Sequence, residues 1–146
     1  PSDFLLLVAC KERINSFDNT GISIIQTGYL NNEDLVKAYQ AADFFVCSSV
    51  EDSGPLMVNQ SIMCGTPVVS FDTGVSMDVV HSGITGYRAR LFDANDLAKG
   101  MRYILSLNGE EHEKMSLNCR TTAINKFSAK VYIDSLIKIF NGDNIV

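Results

Sequence analysis

At 146 residues the chain has the length of one domain, enough to bury a real core. Hydrophobic residues make up 46% and charged residues 20%, which excludes the disordered class. The net charge of −5 argues against nucleic-acid or anionic-membrane binding, because both need a basic face.

The cysteines Cys10, Cys47, Cys64 and Cys119 form no C-x-x-C pair and have no histidine at metal-ligand spacing. Neither a zinc site nor a disulfide framework is expected, and reduced thiols point to the cytoplasm. No signal peptide is visible, and no apolar run approaches the roughly 20 residues of a membrane span. The chain opens Pro1-Ser2-Asp3 and enters an apolar stretch at once, which reads as a fragment.

Phe4–Cys10 is a continuous apolar run, the pattern of a strand covered on both faces. Ile22–Thr27 is a second strand, ended by Gly28. Asn31-Asn32-Glu33-Asp34 offers a capping residue with acids in the first turn of a helix. Its apolar face is Leu35, Ala38, Tyr39 and Ala42. Phe44–Cys47 is a third strand. A helix then opens at Ser53-Gly54-Pro55 and closes at Gly65-Thr66-Pro67, by the Pro-first, Gly-last asymmetry.

Val68–Phe71 is a fourth strand, and Ser76–His81 a short helix. Gly83–Arg90 reads as a turn and brief strand, with Gly86-Tyr87 as the turn signal. Asp93 caps a helix whose apolar face is Leu97, Met101, Ile104 and Leu105. A charged helix follows, with Met115, Cys119 and Ala123 on one side. Ser128 caps the last helix, with Tyr132, Leu136, Ile139 and Phe140 inward. Alternating strands and amphipathic helices predict one α/β domain over 1–146, a Rossmann-like parallel sheet with helices on both faces.

In such sheets ligands bind outside the carboxyl ends of the strands. Two of those ends carry polar clusters here, Gln26–Asn32 and Ser48–Pro55, and the second leads into a helix N-terminus suited to a diphosphate. On residue type alone Glu51 and Asp52 read as plain helix caps. G-x-G-x-x-G, the P-loop and G-x-S-x-G are all absent. His81 and His112 lie on polar stretches with no evident orienting partner, and read as solvated. Asp43, Asp72 and Asp78 read as turn braces.

The stretch Ser49–Gly74, with Asp52, Gln60 and Cys64-Gly65-Thr66-Pro67-Val68-Val69, resembles the signature of the retaining GT-B glycosyltransferases called group 1. Gly28-Tyr29-Leu30 with Asn32–Leu35, and Gly83–Tyr87, resemble flanking parts of that family, so the likeness covers nearly the whole chain. It implies the C-terminal, nucleotide-sugar-binding half of a GT-B fold lacking its first βα unit. The family's two diphosphate-binding basic residues would then precede this sequence.

The family's paired acids fall here on Asp52, beside Glu51, and on Gln60, where a glutamate is usual. The resemblance gives Asp52 the catalytic place at the sugar–diphosphate junction, with Glu51 next to it. It puts Gln60 on the ribose, Ser53, Gly54 and Leu56 at the sugar and phosphate through backbone N–H groups, and Tyr29 and Leu30 at the base.

The implied activity is transfer of a sugar from a nucleotide-diphosphate sugar to an acceptor, with retention and with neither metal nor cofactor. The acceptor, a glycan or lipid-linked glycan, would be held by the absent N-terminal domain. No nucleic acid is expected as partner, the 1–146 fragment alone is expected to be inactive, and its exposed sheet edge is expected to self-associate. A non-catalytic nucleotide-binding module, for which Gln60 speaks, and a GT-B epimerase relative stay open beside this reading.

Overall fold

The computed structural model describes residues 4–12, 21–52 and 56–142. The chain divides into two compact units, Pro1–Ala42 and Asp43–Val146.

The first unit contains β1 (Leu5–Val8), β2 (Ser23–Gln26) and α1 (Asn32–Ala41). β1 and β2 pair in parallel, Leu5 opposite Ser23 and Val8 opposite Gln26. Of the two adjacent asparagines, Asn31 is the one that caps α1. Its backbone is extended, and its side-chain oxygen accepts the Asp34 N–H at 2.9 Å. The expectation that β1 is covered on both faces does not hold, because Leu5 and Leu7 are exposed. A ladder of two strands with a single helix offers too little surface to cover both sides.

The second unit holds β3 (Phe45–Cys47), α2 (Leu56–Cys64), β4 (Val68–Phe71), α3 (Ser76–Val79) and β5 (Gly86–Ala89). The helices α4 (Ala94–Leu105), α5 (Gly109–Phe127) and α6 (Ala129–Asn141) complete it. The sheet order is β3-β4-β5, and both ladders are parallel. Central β4 is buried at every residue. Successive side chains of a strand point to opposite faces, and β4 shows both being covered. Val68 packs with Val58 and Ile62 of α2, while Val69 packs with Ile104 of α4 and Met115 of α5. Full burial of a Val or Ile contributes roughly 1.5–3 kcal/mol, so this double cover holds the sheet and fixes where its ends lie.

α2 stops where the Gly-Thr-Pro pattern predicts. Gly65 takes φ +84°, its N–H bonds to the Ile62 carbonyl at 3.1 Å, and the Thr66 N–H reaches the Ser61 carbonyl at 3.0 Å. The Ser53-Gly54-Pro55 opening of this helix lies outside the described residues. Gly86 begins β5 instead of making the turn. The turn falls one step earlier, where the Ile84 and Thr85 N–H groups both return to the His81 carbonyl.

Asp93 and Ser128 cap α4 and α6 through their side chains, and Met115, Cys119 and Ala123 are buried along α5. Two expected inner faces are only partly covered. Leu105 of α4 is exposed, and so are Tyr132, Ile139 and Phe140 of α6, with Leu136 half-buried. An amphipathic pattern shows that a face favours cover; it does not say that the same unit supplies it. Among the described residues no helix is long and apolar enough to cross a membrane.

Candidate functional site

β3 and β4 run side by side in parallel, so their carboxyl ends open on the same edge of the sheet. The residues following them border a wide, open cleft of about 590 Å³, lined by Val50, Glu51, Asp52 and Thr73. Asp52 is half-buried and Glu51 exposed. The two acids of the sequence reading therefore lie on one concavity at the end of the sheet where such folds take ligands.

α2 follows this loop. Val58, Ser61 and Ile62 form its buried face, and the Ser61 hydroxyl donates to the Thr66 carbonyl at 2.9 Å. Leu56 and Gln60, one turn apart, share the opposite side, the first 66% exposed and the second half-buried. The neighbouring Asn59 Oδ1 is shielded from solvent and has no hydrogen-bond partner among the described residues. A buried acceptor left unpaired costs free energy. Ser53 and Gly54 lie outside the described residues. Tyr29 and Leu30 belong to the first unit, between β2 and α1, where Tyr29 is 88% exposed and Leu30 half-buried.

The structure thus brings Glu51 and Asp52 onto one cleft, and Leu56 and Gln60 onto one side of the helix that follows. It adds Thr73, which the sequence reading passed over. The signal was available in principle, because the residues after Val68–Phe71 are also a strand's carboxyl end. That loop is tied down: Arg88 Nε stands 3.1 Å from Asp72 Oδ1, and Arg88 Nη1 donates to the Met77 carbonyl at 2.7 Å.

A second cavity of about 520 Å³ is lined by Asp43, Asn108 and His112, among others. Asp43 precedes β3, so this hollow lies at the opposite, amino end of the sheet. His112 is half-buried rather than freely solvated and has an orienting partner, its Nε2 donating to the Asp43 carbonyl at 2.7 Å. The two residues are distant in sequence, which hid the contact. His81 is exposed.

Asp72 braces its turn as expected, whereas Asp43 and Asp78 receive His112 and Lys126 through their backbone carbonyls. All four cysteines are free thiols. Burial pushes the Cys119 thiol up to about 12 and raises Cys64 as well. Among the described residues no group of three or more His, Cys, Asp and Glu side chains could hold a metal ion.

The sequence profile of the family described as glycosyl transferases group 1 matches residues 11–122. The chain belongs to this family. Over 76 residues it is 36% identical to a D-inositol 3-phosphate glycosyltransferase of Mycobacterium sp. (strain KMS), a match covering 52% of this chain and 17% of that protein.

Among solved structures it resembles a sucrose-phosphate synthase from Thermosynechococcus elongatus, at 22% identity and a TM-score of 0.78. That likeness covers 94% of this chain and 37% of the other. The Anabaena protein Alr3699/HepE, solved with UDP and glucose, gives 16% identity and a TM-score of 0.72, over 87% of this chain and 33% of its own. The fold is therefore that of the GT-B glycosyltransferases. The chain spans about a sixth of the curated relative and about a third of each structural one.

Proposed function

We propose that this chain holds the nucleotide-diphosphate sugar for a glycosyltransferase, with the cleft after β3 and β4 as the place of the sugar–diphosphate junction. The observation that carries the proposal is the joint position of Glu51 and Asp52. Both line a cleft at the carboxyl edge of a parallel sheet, in a group 1 chain, just before the helix that bears Gln60. The Anabaena neighbour's complex with UDP and glucose supports a donor of this class.

In the reaction the glycosidic C–O bond to the diphosphate breaks and the sugar forms a bond to an acceptor oxygen, whose proton is lost. Negative charge gathers on the departing phosphate while the sugar becomes oxocarbenium-like. The N-terminal end of α2 carries partial positive charge that favours the leaving group. Asp52, half-buried on the cleft, faces the cationic sugar, Glu51 adds a second carboxylate, and Gln60 takes the ribose hydroxyls. The Leu56 amide, at the start of α2, serves sugar and phosphate. Transfer proceeds with retention and with no metal or other cofactor.

The acceptor, a glycan or lipid-linked glycan, is held by a further domain, so residues 1–146 alone bind donor weakly and transfer nothing. Isolated copies of the chain associate through β1, where Leu5 is exposed. The free thiols support a cytoplasmic setting. Gln60, neutral where the family has an acid, is the best support for a non-catalytic nucleotide binder instead.

The test supplies the full-length protein with a panel of UDP- and GDP-sugars, with and without EDTA, and follows the anomeric signal of the product. EDTA-insensitive transfer with retained anomeric configuration is expected. Nucleotide binding without any turnover would favour the binding-module reading.

A further inference from the structure

The loop after β4 forms a wall of the cleft, and the neighbouring strand sets its geometry. Arg88 of β5 lies opposite Ser70 of β4 in the parallel register. Its guanidinium pairs with Asp72 at 3.1 Å through Nε and donates through Nη1 to the Met77 carbonyl at 2.7 Å. One rigid, planar group thus ties both ends of the segment 72–77, a task that suits arginine better than lysine. The backbone adds another tie, with the Asp72 N–H donating to the Ala89 carbonyl at 2.8 Å.

Between these ties sits Thr73. Its N–H returns to the Phe71 carbonyl at 2.9 Å, and its carbonyl accepts the Ser76 N–H at 3.2 Å. Both of its backbone groups are used inside the loop. Thr73 lines the cleft together with Glu51 and Asp52, and its hydroxyl has no protein partner among the described residues. A held hydroxyl that can both donate and accept, beside two carboxylates that accept, matches the hydroxyls of a sugar. The Arg88–Asp72 pair is itself a third to a half exposed. Such pairs add little to stability, so its main effect is geometric.

Resting on the donor-site reading above, we propose that Thr73 recognises a hydroxyl of the donor sugar and that Arg88 is the residue that positions it. The experiment measures donor KM and kcat of the full-length protein with the UDP- or GDP-sugar that it turns over best. Thr73→Val keeps the shape and removes the hydroxyl. It should raise donor KM roughly three- to tenfold, the loss of one hydrogen bond, while Thr73→Ser stays near wild type.

Arg88→Ala should reproduce the Thr73→Val effect with little change in melting temperature, and the double variant should be no worse than either single one. If Arg88→Ala does not fold, Asp72→Asn weakens the same tie and should behave alike. Wild-type KM in Thr73→Val, with Asp52→Ala impaired, overturns this proposal and leaves the donor site standing. Additive losses in the double variant overturn the positioning role of Arg88. Silence of Asp52→Ala and Gln60→Ala as well, or no turnover of any donor, overturns the donor-site reading beneath it.

Discussion

Asp52 and Thr73 line the same cleft although they follow different strands, β3 and β4. The relationship depends on two features of the second unit: β3 and β4 are parallel neighbours, and β4 is held from both faces by α2 and α4. A change that disturbs the entry of β5 alongside β4 therefore acts on the same frame.

Gly86 is that entry. It takes φ +151°, and a Cβ there would run into the backbone of Val68. Gly86→Ala combines a backbone that L side chains rarely adopt with a clash against a packed strand, and should cost about 2–4 kcal/mol. Urea unfolding followed by circular dichroism measures it, and a loss under about 1 kcal/mol would contradict the close approach.

The Asp96 carboxylate accepts the Arg90 N–H at 2.9 Å and the Tyr87 hydroxyl at 2.9 Å. These bonds, the backbone one first, hold its pKa below the ordinary aspartate range. A carboxyl depressed in the folded state stabilises above its unfolded pKa, and that contribution fades as pH falls through the folded value. Asp96→Asn should therefore lower the melting temperature at pH 7, and the gap to wild type should close on acidification below about pH 4. A gap that stays constant across that range would show that the charge plays no part.

The thiols differ by burial. Cys47 and Cys119 are buried, and the Cys119 thiol, pushed up to about 12, donates to the Thr85 carbonyl at 3.2 Å. The thiolate is the reactive form, so at pH 8 Cys119 should not react with iodoacetamide until the protein unfolds, and the burial of Cys47 should keep the reagent from it as well. Half-buried Cys10 should react in the native state, and Cys64, whose thiol burial also raises, more slowly. Mass spectrometry of native and urea-treated samples reads the pattern, and native modification of Cys119 would contradict its burial.

What was legible in the sequence was local chemistry. Asn31, Asp93 and Ser128 announce their helices because a capping side chain bonds only two or three residues on. Val68–Phe71 reads as a buried strand because every residue of it is covered. Less visible was what depends on distant partners. His112 finds its hydrogen-bond partner in the distant Asp43, the cleft position of Thr73 depends on a parallel neighbour, and the exposed side of α6 on cover that the second unit does not provide. The cleft acids were legible only through the family pattern, since Asp52 taken alone reads as a helix cap.

The most direct test of the donor site is the side chain of Gln60. A ribose diol offers two O–H donors and several lone pairs, and the amide can both accept and donate. A glutamate would add a charge-assisted bond, so the neutral amide loses at most roughly tenfold in affinity. The decisive measurement is donor KM of the full-length protein carrying Gln60→Ala, with Gln60→Glu and Asp52→Ala alongside. Gln60→Ala should raise donor KM clearly, Gln60→Glu should leave activity intact, and Asp52→Ala should reduce kcat. Wild-type KM and kcat in both alanine variants would contradict the account.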